Sequence, residues 1–178
     1  RFGQSALVAD GQTSTDFESW FANLTEEASV ERRALIRPWF LSLHQQQGPV
    51  PSEVASVAWS AQRLDASERA VALTLADIQR TTTWQAEVTL STLDAAVQIT
   101  VEGHTRAPAT TADPWDQQAI VCDIAEIIQE DISESHSEAW PSCADHGVGL
   151  HAEVQAGRAV WRCRTGEHAV SDIGMLGA

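Results

Sequence analysis

W-P-S-C-A-D-H-G-V-G-L-H-A-E-V, residues 140–154, is followed by G-R-A-V-W-R-C-R-T-G-E-H, residues 157–168, and by I-G-M-L, residues 173–176. This stretch holds two of the three cysteines, three of the six histidines and two of the seven tryptophans. Leu150 to Val154, Ala159 to Cys163 and Ala169 to Ile173 each read as a short strand, with Ala156-Gly157 as turn chemistry between the first two. The spacing predicts a small three-stranded β-meander. So short a meander has little apolar mass of its own, and a bound metal is one way to hold it.

The side chains for such a site are present. Cys143-x-x-His146 has the spacing with which zinc is chelated from one tight turn. Cys163 ends the strand that would return beside it. His151 and His168 are further ligands, at the start of the first strand and just before the third. Cys143, His146, His151, Cys163 and His168 are thus five candidates for four positions, all within 26 residues. The expectation is a zinc-ribbon-like knuckle holding zinc, or the relic of one, with His151 and His168 competing for the fourth place. His151-Ala152-Glu153 and Pro141-Ser142-Cys143 imitate the two halves of a zinc deaminase signature, but in reversed order and without the strand–helix context.

Outward from this stretch, Asp113-Pro114 reads as an N-cap and first helical position, opening a helix to about Ser135. Ile120, Val121, Ile124, Ile127, Ile128 and Ile132 form its inner face. Cys122 falls on the flank beside Gln118 and Gln129, where partial exposure is expected. Asp131 lies within the apolar face and needs a polar partner. Before this helix, Trp84 to Leu90 and Ala95 to Val101 alternate with period two, and Ser91 to Asp94 is the expected turn of a β-hairpin.

The N-terminal half reads as helical. Thr15 with Glu18 is a capping box before Phe17, Trp20, Phe21 and Leu24, an aromatic face to be buried. A second helix is expected from about Glu26 to Gln47, with Pro38 inside it. A third runs from Ser52 to about Arg63 with Val54, Val57, Ala58 and Ala61 inward. A fourth runs from Asp65 to about Gln79, opened by the pair Asp65 and Glu68, with Val71, Leu75 and Ile78 on one face. The predicted organisation is a loose N-terminus (1–14), a helical bundle unit (15–80) and an α+β unit (82–178) ending in the Cys/His module. The join at Thr81 to Thr83 is short, so the whole reads as α+β and compatible with one domain.

Formal charge is −14, all eleven basic residues are Arg, and Lys and Tyr are absent. Such an anion lacks the electrostatic footprint of a nucleic-acid or anionic-membrane binder. Without Lys there is no Schiff-base or P-loop chemistry. Arg32, Arg33 and Arg37 are expected on a solvated helix face with Glu26, Glu27 and Glu31. No apolar run approaches the roughly 20 residues that span a bilayer. Residues 1–14 lack signal-peptide character, and the cysteine count is odd. Both predict a reducing, cytoplasmic setting. Arg1 at the start and Met175 as the single methionine imply that the natural start is processed or lies elsewhere.

The tail resembles the end of a loosely defined group of small, acidic, uncharacterised proteins typical of actinomycetes. The residues carrying the resemblance are Trp140, Pro141, Cys143, His146, Gly147, Gly149, His151, Gly157, Ala159, Val160, Trp161, Cys163, His168, Ile173, Gly174 and Leu176. The resemblance implies a module over residues 113–178 in which the Cys and His side chains belong together, and it implies no activity. The leading expectation is therefore a non-enzymatic protein-interaction or assembly component with a structural Cys/His site, its acidic surface suited to a basic protein partner. Two alternatives stay open. One is a small metal-dependent hydrolase with an open metal position and Glu153 as base. The other is an acidic inhibitor or immunity-type protein.

Overall fold

A computed structural model describes residues 7–93 and 96–178. The fold is α+β, with helices α1 (Leu7–Leu24), α2 (Val30–Gln47), α3 (Ser52–Thr81) and α4 (Gln117–His136) among the described residues. Strands β1 (Val88–Leu93), β2 (Ala96–Val101) and β3 (His104–Arg106) form one antiparallel sheet in the order β1-β2-β3. Strands β4 (His151–Gln155), β5 (Arg158–Cys163) and β6 (His168–Asp172) form the predicted meander in the order β4-β5-β6. The chain divides into two compact units, Arg1–Val57 and Ala58–Ala178, and the division falls inside α3.

In the first unit, α1 and α2 pack through the predicted aromatic face. Phe17 and Phe21 are buried and stack at 5.5 Å, Phe21 meets Phe40 at 5.4 Å, and His44 sits against Phe17 and Trp20. The Trp20 indole N–H donates to the Val50 carbonyl at 2.7 Å. Ser29 caps α2 by accepting from the Arg32 N–H. Arg33 donates to the carbonyls of Thr25 and Glu26, and Arg37 pairs with Glu18 while lying over the Phe17 ring. Arg33 and Arg37 therefore tie α2 to α1 and its following turn, while Arg32 and Arg37 lie exposed, as the sequence predicted. Of the expected loose N-terminus, residues 1–6 lie outside the described residues, and the helix already runs from Leu7. The Thr15–Glu18 pair falls within that helix.

The third and fourth predicted helices are one continuous helix, α3. Capping residues open a helix only where the chain has another reason to break, and Leu64 to Glu68 contains neither Gly nor Pro. Asp65 instead pairs with Arg69 one turn on. The buried face of α3 is only partly the one that hydrophobic period selects: Ile78 is buried and Val71 and Leu75 pack against the core, as expected. Val54 and Val57, expected inward, are exposed, whereas Ser67, Ala70, Thr74 and Asp77 are fully buried. These four recur at helical spacing as a stripe of small and polar residues. Ser67 and Thr74 donate their hydroxyls to the carbonyls of Arg63 and Ala70 at 2.9 and 3.0 Å. Their polar groups are thus satisfied within the helix, so the stripe packs as closely as an apolar one.

In the first sheet Val97, Ile99 and Val101 of β2 are fully buried. They lie beside the α4 residues Ile120, Ile124, Ile128 and Ile132 in one core. β1 runs to Leu93, past the expected turn start at Ser91; residues 94–95 lie outside the described residues. β3 was not foreseen. It pairs with β2 and presents Arg106 to Asp131. Asp131 is buried, and it accepts from the Arg106 guanidinium at 2.7 and 3.3 Å, which supplies the polar partner its position demands.

α4 starts at Gln117, capped by Asp116, whose carboxylate accepts the Ala119 N–H at 3.1 Å. On its predicted half-exposed flank, Cys122 is buried while Gln118 and Gln129 are half-buried. Gln129 donates to the Leu150 carbonyl at 2.5 Å, Gln118 accepts the Ala159 N–H at 2.7 Å, and Ser133 both donates to and accepts from the Trp140 backbone. The flank is therefore the face that carries β4 and β5. Cys122 lies between the two glutamines and is buried, and burial with the nearby carboxylates of Asp123 and Glu126 pushes its thiol up to about 11.

Candidate metal centre

The first turn of the site is built by backbone hydrogen bonds. The Cys143 N–H donates to the Val148 carbonyl, the Gly147 N–H to the Cys143 carbonyl, and the Leu150 N–H to the Pro141 carbonyl, each at 2.8 Å. Gly147 takes a φ of +65°, the left-handed conformation a tight turn needs. The second turn joins β5 to β6, with Cys163 paired directly across from His168. The two turns bring Cys143, His146, Cys163 and His168 together, with all four ligand atoms within 4.8 Å of one another.

Three of the S···N spacings are close to those a tetrahedral metal would set. The Cys143 Sγ lies 3.4 Å from His146 Nδ1 and 3.7 Å from His168 Nε2, and the Cys163 Sγ lies 3.5 Å from His146 Nδ1. A tetrahedral zinc with about 2.3 Å to sulfur and about 2.0–2.1 Å to nitrogen sets S···N edges of about 3.5 Å. The cluster is of the Cys2His2 type, lies within metal-binding distance and is compatible with zinc.

The surroundings prepare these side chains as ligands. His168 Nδ1 lies 3.3 Å from the Gly166 carbonyl; donation there fixes the tautomer that leaves Nε2 available. The Gly166 N–H donates to the Cys163 sulfur at 3.4 Å. Cys143 and Cys163 are buried, His168 is half-buried and His146 is exposed. The His146 ring, the turn backbone at His146 and Asp145, and Cys163 hold the Cys143 thiol down to about 6, against the ordinary 9.0.

His151 is not part of the cluster. In the β4–β5 register it faces Arg162, and Glu153 faces Val160. Neighbouring strand positions alternate faces, so His151 and Glu153 lie on the side of the sheet away from Cys163. Of the two competing histidines, His168 is the one beside the cysteines. Glu153 accepts from Arg164 at 2.7 Å and Arg162 at 3.2 Å, which hold its carboxyl below the usual range.

Two features of the module were not legible beforehand. Gly166 is one: a Cβ there would collide with His146 and would come within 2.6 Å of His168 Nδ1. The other is Asp77, whose carboxylate accepts the Trp161 indole N–H at 2.7 Å, the Gly174 N–H at 2.7 Å and the Leu176 N–H at 2.8 Å, with Arg80 at 3.3 Å. Trp140, in edge contact with Trp161 at 5.6 Å, donates its indole N–H to Thr81 at 3.0 Å. Both tryptophans send their N–H groups to α3. The I-G-M-L run is explained by the same contact. Ile173 and Leu176 are buried, and Gly174 sits against Leu73 at a φ of +93°. No protein-family model, curated protein or solved structure matches the chain, and no described helix is long and apolar enough to cross a membrane.

Proposed function

We propose that the chain is a non-enzymatic protein-interaction or assembly component, and that a zinc ion held by Cys143, His146, Cys163 and His168 closes its C-terminal β-module. The observation that carries this reading is the set of S···N spacings of 3.4, 3.5 and 3.7 Å between two independently built turns. Four protein ligands fill a tetrahedral ion and leave no position for water, the mark of a structural rather than a hydrolytic zinc. Glu153, the base a hydrolase would need, is engaged by Arg162 and Arg164. The excess of 25 acidic over 11 basic side chains favours a basic protein partner.

Elemental analysis of the native protein, with melting curves before and after a chelator, tests the proposal. One zinc per chain and a lower melting temperature without it are expected. No metal together with an unchanged melting curve would remove the zinc site. Ester or phosphoester hydrolysis by the zinc form, lost in Cys163→Ser, would replace the non-enzymatic reading with the hydrolytic one.

A further inference from the structure

A cavity of about 730 Å³ lies within the second unit, between the end of α3, the stretch that follows α4 and the C-terminal tail. Arg80, Trp84, Glu138, Trp140, Val170 and Leu176 are among the residues that line it. Its volume is that of a ligand cavity. Ser142 and Ala144, on either side of Cys143, also belong to its wall, so the turn that carries the metal ligands shapes it.

Arg80 and Glu138 are the two charged side chains of the wall, and they are not equivalent. Arg80 is turned back on the fold: its guanidinium donates to the Gly174 carbonyl at 2.6 Å and to Asp77 at 3.3 Å. Asp77 is fully buried, so its carboxylate offsets the Arg80 charge. The Glu138 carboxylate is exposed and has no partner among the described residues. Two helices add negative potential beside it. α3 ends in the wall at Thr81, and Glu138 lies just past the end of α4 at His136. A helix C-terminus carries a partial negative charge on its last carbonyls. Trp84 stacks flat on His136, with ring centres 4.1 Å apart and planes within 3°. That contact holds one side of the indole, and the rest of it lines the cavity.

A free carboxylate, two helix C-termini and an indole attract a cation, and a chain charge of −14 repels an anion. A planar guanidinium suits all of these features, because it stacks on an aromatic ring while its edge donates to oxygen. We propose that the cavity receives an arginine side chain of a basic protein partner, with the guanidinium against Trp84 and Glu138. The inference rests on the reading of the chain as a component that binds such a partner, and it gives that partner a site.

The full zinc-loaded chain, labelled with nitrogen-15, is titrated with the blocked tripeptide Gly-Arg-Gly while the indole N–H signals are followed. Saturable movement of the Trp84 signal is expected, with Trp20 and Trp59 unmoved and with weaker binding at higher salt. The same peptide with neutral citrulline in place of arginine is expected to bind at least about tenfold more weakly. Glu138→Gln, at an exposed position, is expected to weaken the arginine peptide at least about fivefold and to leave the zinc content unchanged. Trp84→Leu, read by calorimetry, should abolish binding. A Trp84 signal that never moves overturns the proposal. So do equal binding of the citrulline peptide, tighter binding of a glutamate peptide, or an unchanged affinity in Glu138→Gln. Hexa-arginine that binds while Trp84 stays still overturns the site and leaves a basic partner in place; hexa-arginine that does not bind at all removes both.

Discussion

Asp77 is the residue on which the position of the C-terminal module depends. It is fully buried, and three N–H groups from Trp161, Gly174 and Leu176 end on its two oxygens. Asp77→Ala leaves those donors without an acceptor, each worth about 1–3 kcal/mol when buried. The losses overlap, and a destabilisation on the order of 3–5 kcal/mol by urea unfolding is expected. Asp77→Asn keeps the shape, turns one acceptor oxygen into a donor and should cost less. At the metal cluster, Gly166→Ala drives a methyl group into the two imidazole rings. Zinc affinity is expected to fall by at least tenfold while the helical circular dichroism signal stays. His151→Ala, on the other side of β4, is expected to keep the zinc content of the parent; loss of zinc there would mean that His168 is not the fourth ligand. The Cys and His cluster was legible because cysteine and histidine at knuckle spacing are rare by chance. Asp77 was not, because a lone carboxylate on a helix gives no sign of what will later dock on it.

Among the elements, α4 carries the most instructive difference between pattern and structure. Its isoleucine face was plain from the period, and so was the anomaly of Asp131. The second packing face was hidden, because beside the buried Cys122 and Ala125 it uses the half-buried Gln118, Gln129 and Ser133, which hydropathy assigns to water. The small-residue stripe of α3 escaped notice for the same reason. Hydrophobic period detects faces that bury apolar area, not faces that bond to strand backbone. The consequence for Cys122 can be measured. With metal bound, no thiol is expected to react with a disulfide reagent in the native protein. Chelation should expose Cys143 and Cys163, and Cys122 should react only on unfolding. Cys122 also contributes a pH dependence of known sign. Its thiol lies near 9.0 unfolded and about 11 folded, so the folded state holds the proton more tightly. That contribution is complete below pH 9 and is lost as pH rises through 11. Alkaline unfolding should accordingly begin at higher pH in Cys122→Ala than in the parent.

At the scale of the molecule, the α+β class and the meander followed from the change of period after Thr81. The second unit alone holds the cluster and the Asp77 contact. Calorimetry is therefore expected to resolve two transitions, with chelator lowering one and leaving the other in place; a single transition shifted as a whole would show the units to be one cooperative block. The contact between Asp77 and the tail has a further consequence during synthesis. Its partners Gly174 and Leu176 lie 97 and 99 residues downstream. A ribosome adding about 5–20 residues each second needs on the order of 5–20 s to supply them. Through that interval α3 emerges with its docking carboxylate solvated and its small-residue face bare. Of the ligands, Cys143 and His146 appear before Cys163 and His168. The order of assembly is thus written into the direction of translation: helices first, the Cys2His2 cluster next and the Asp77 contact last.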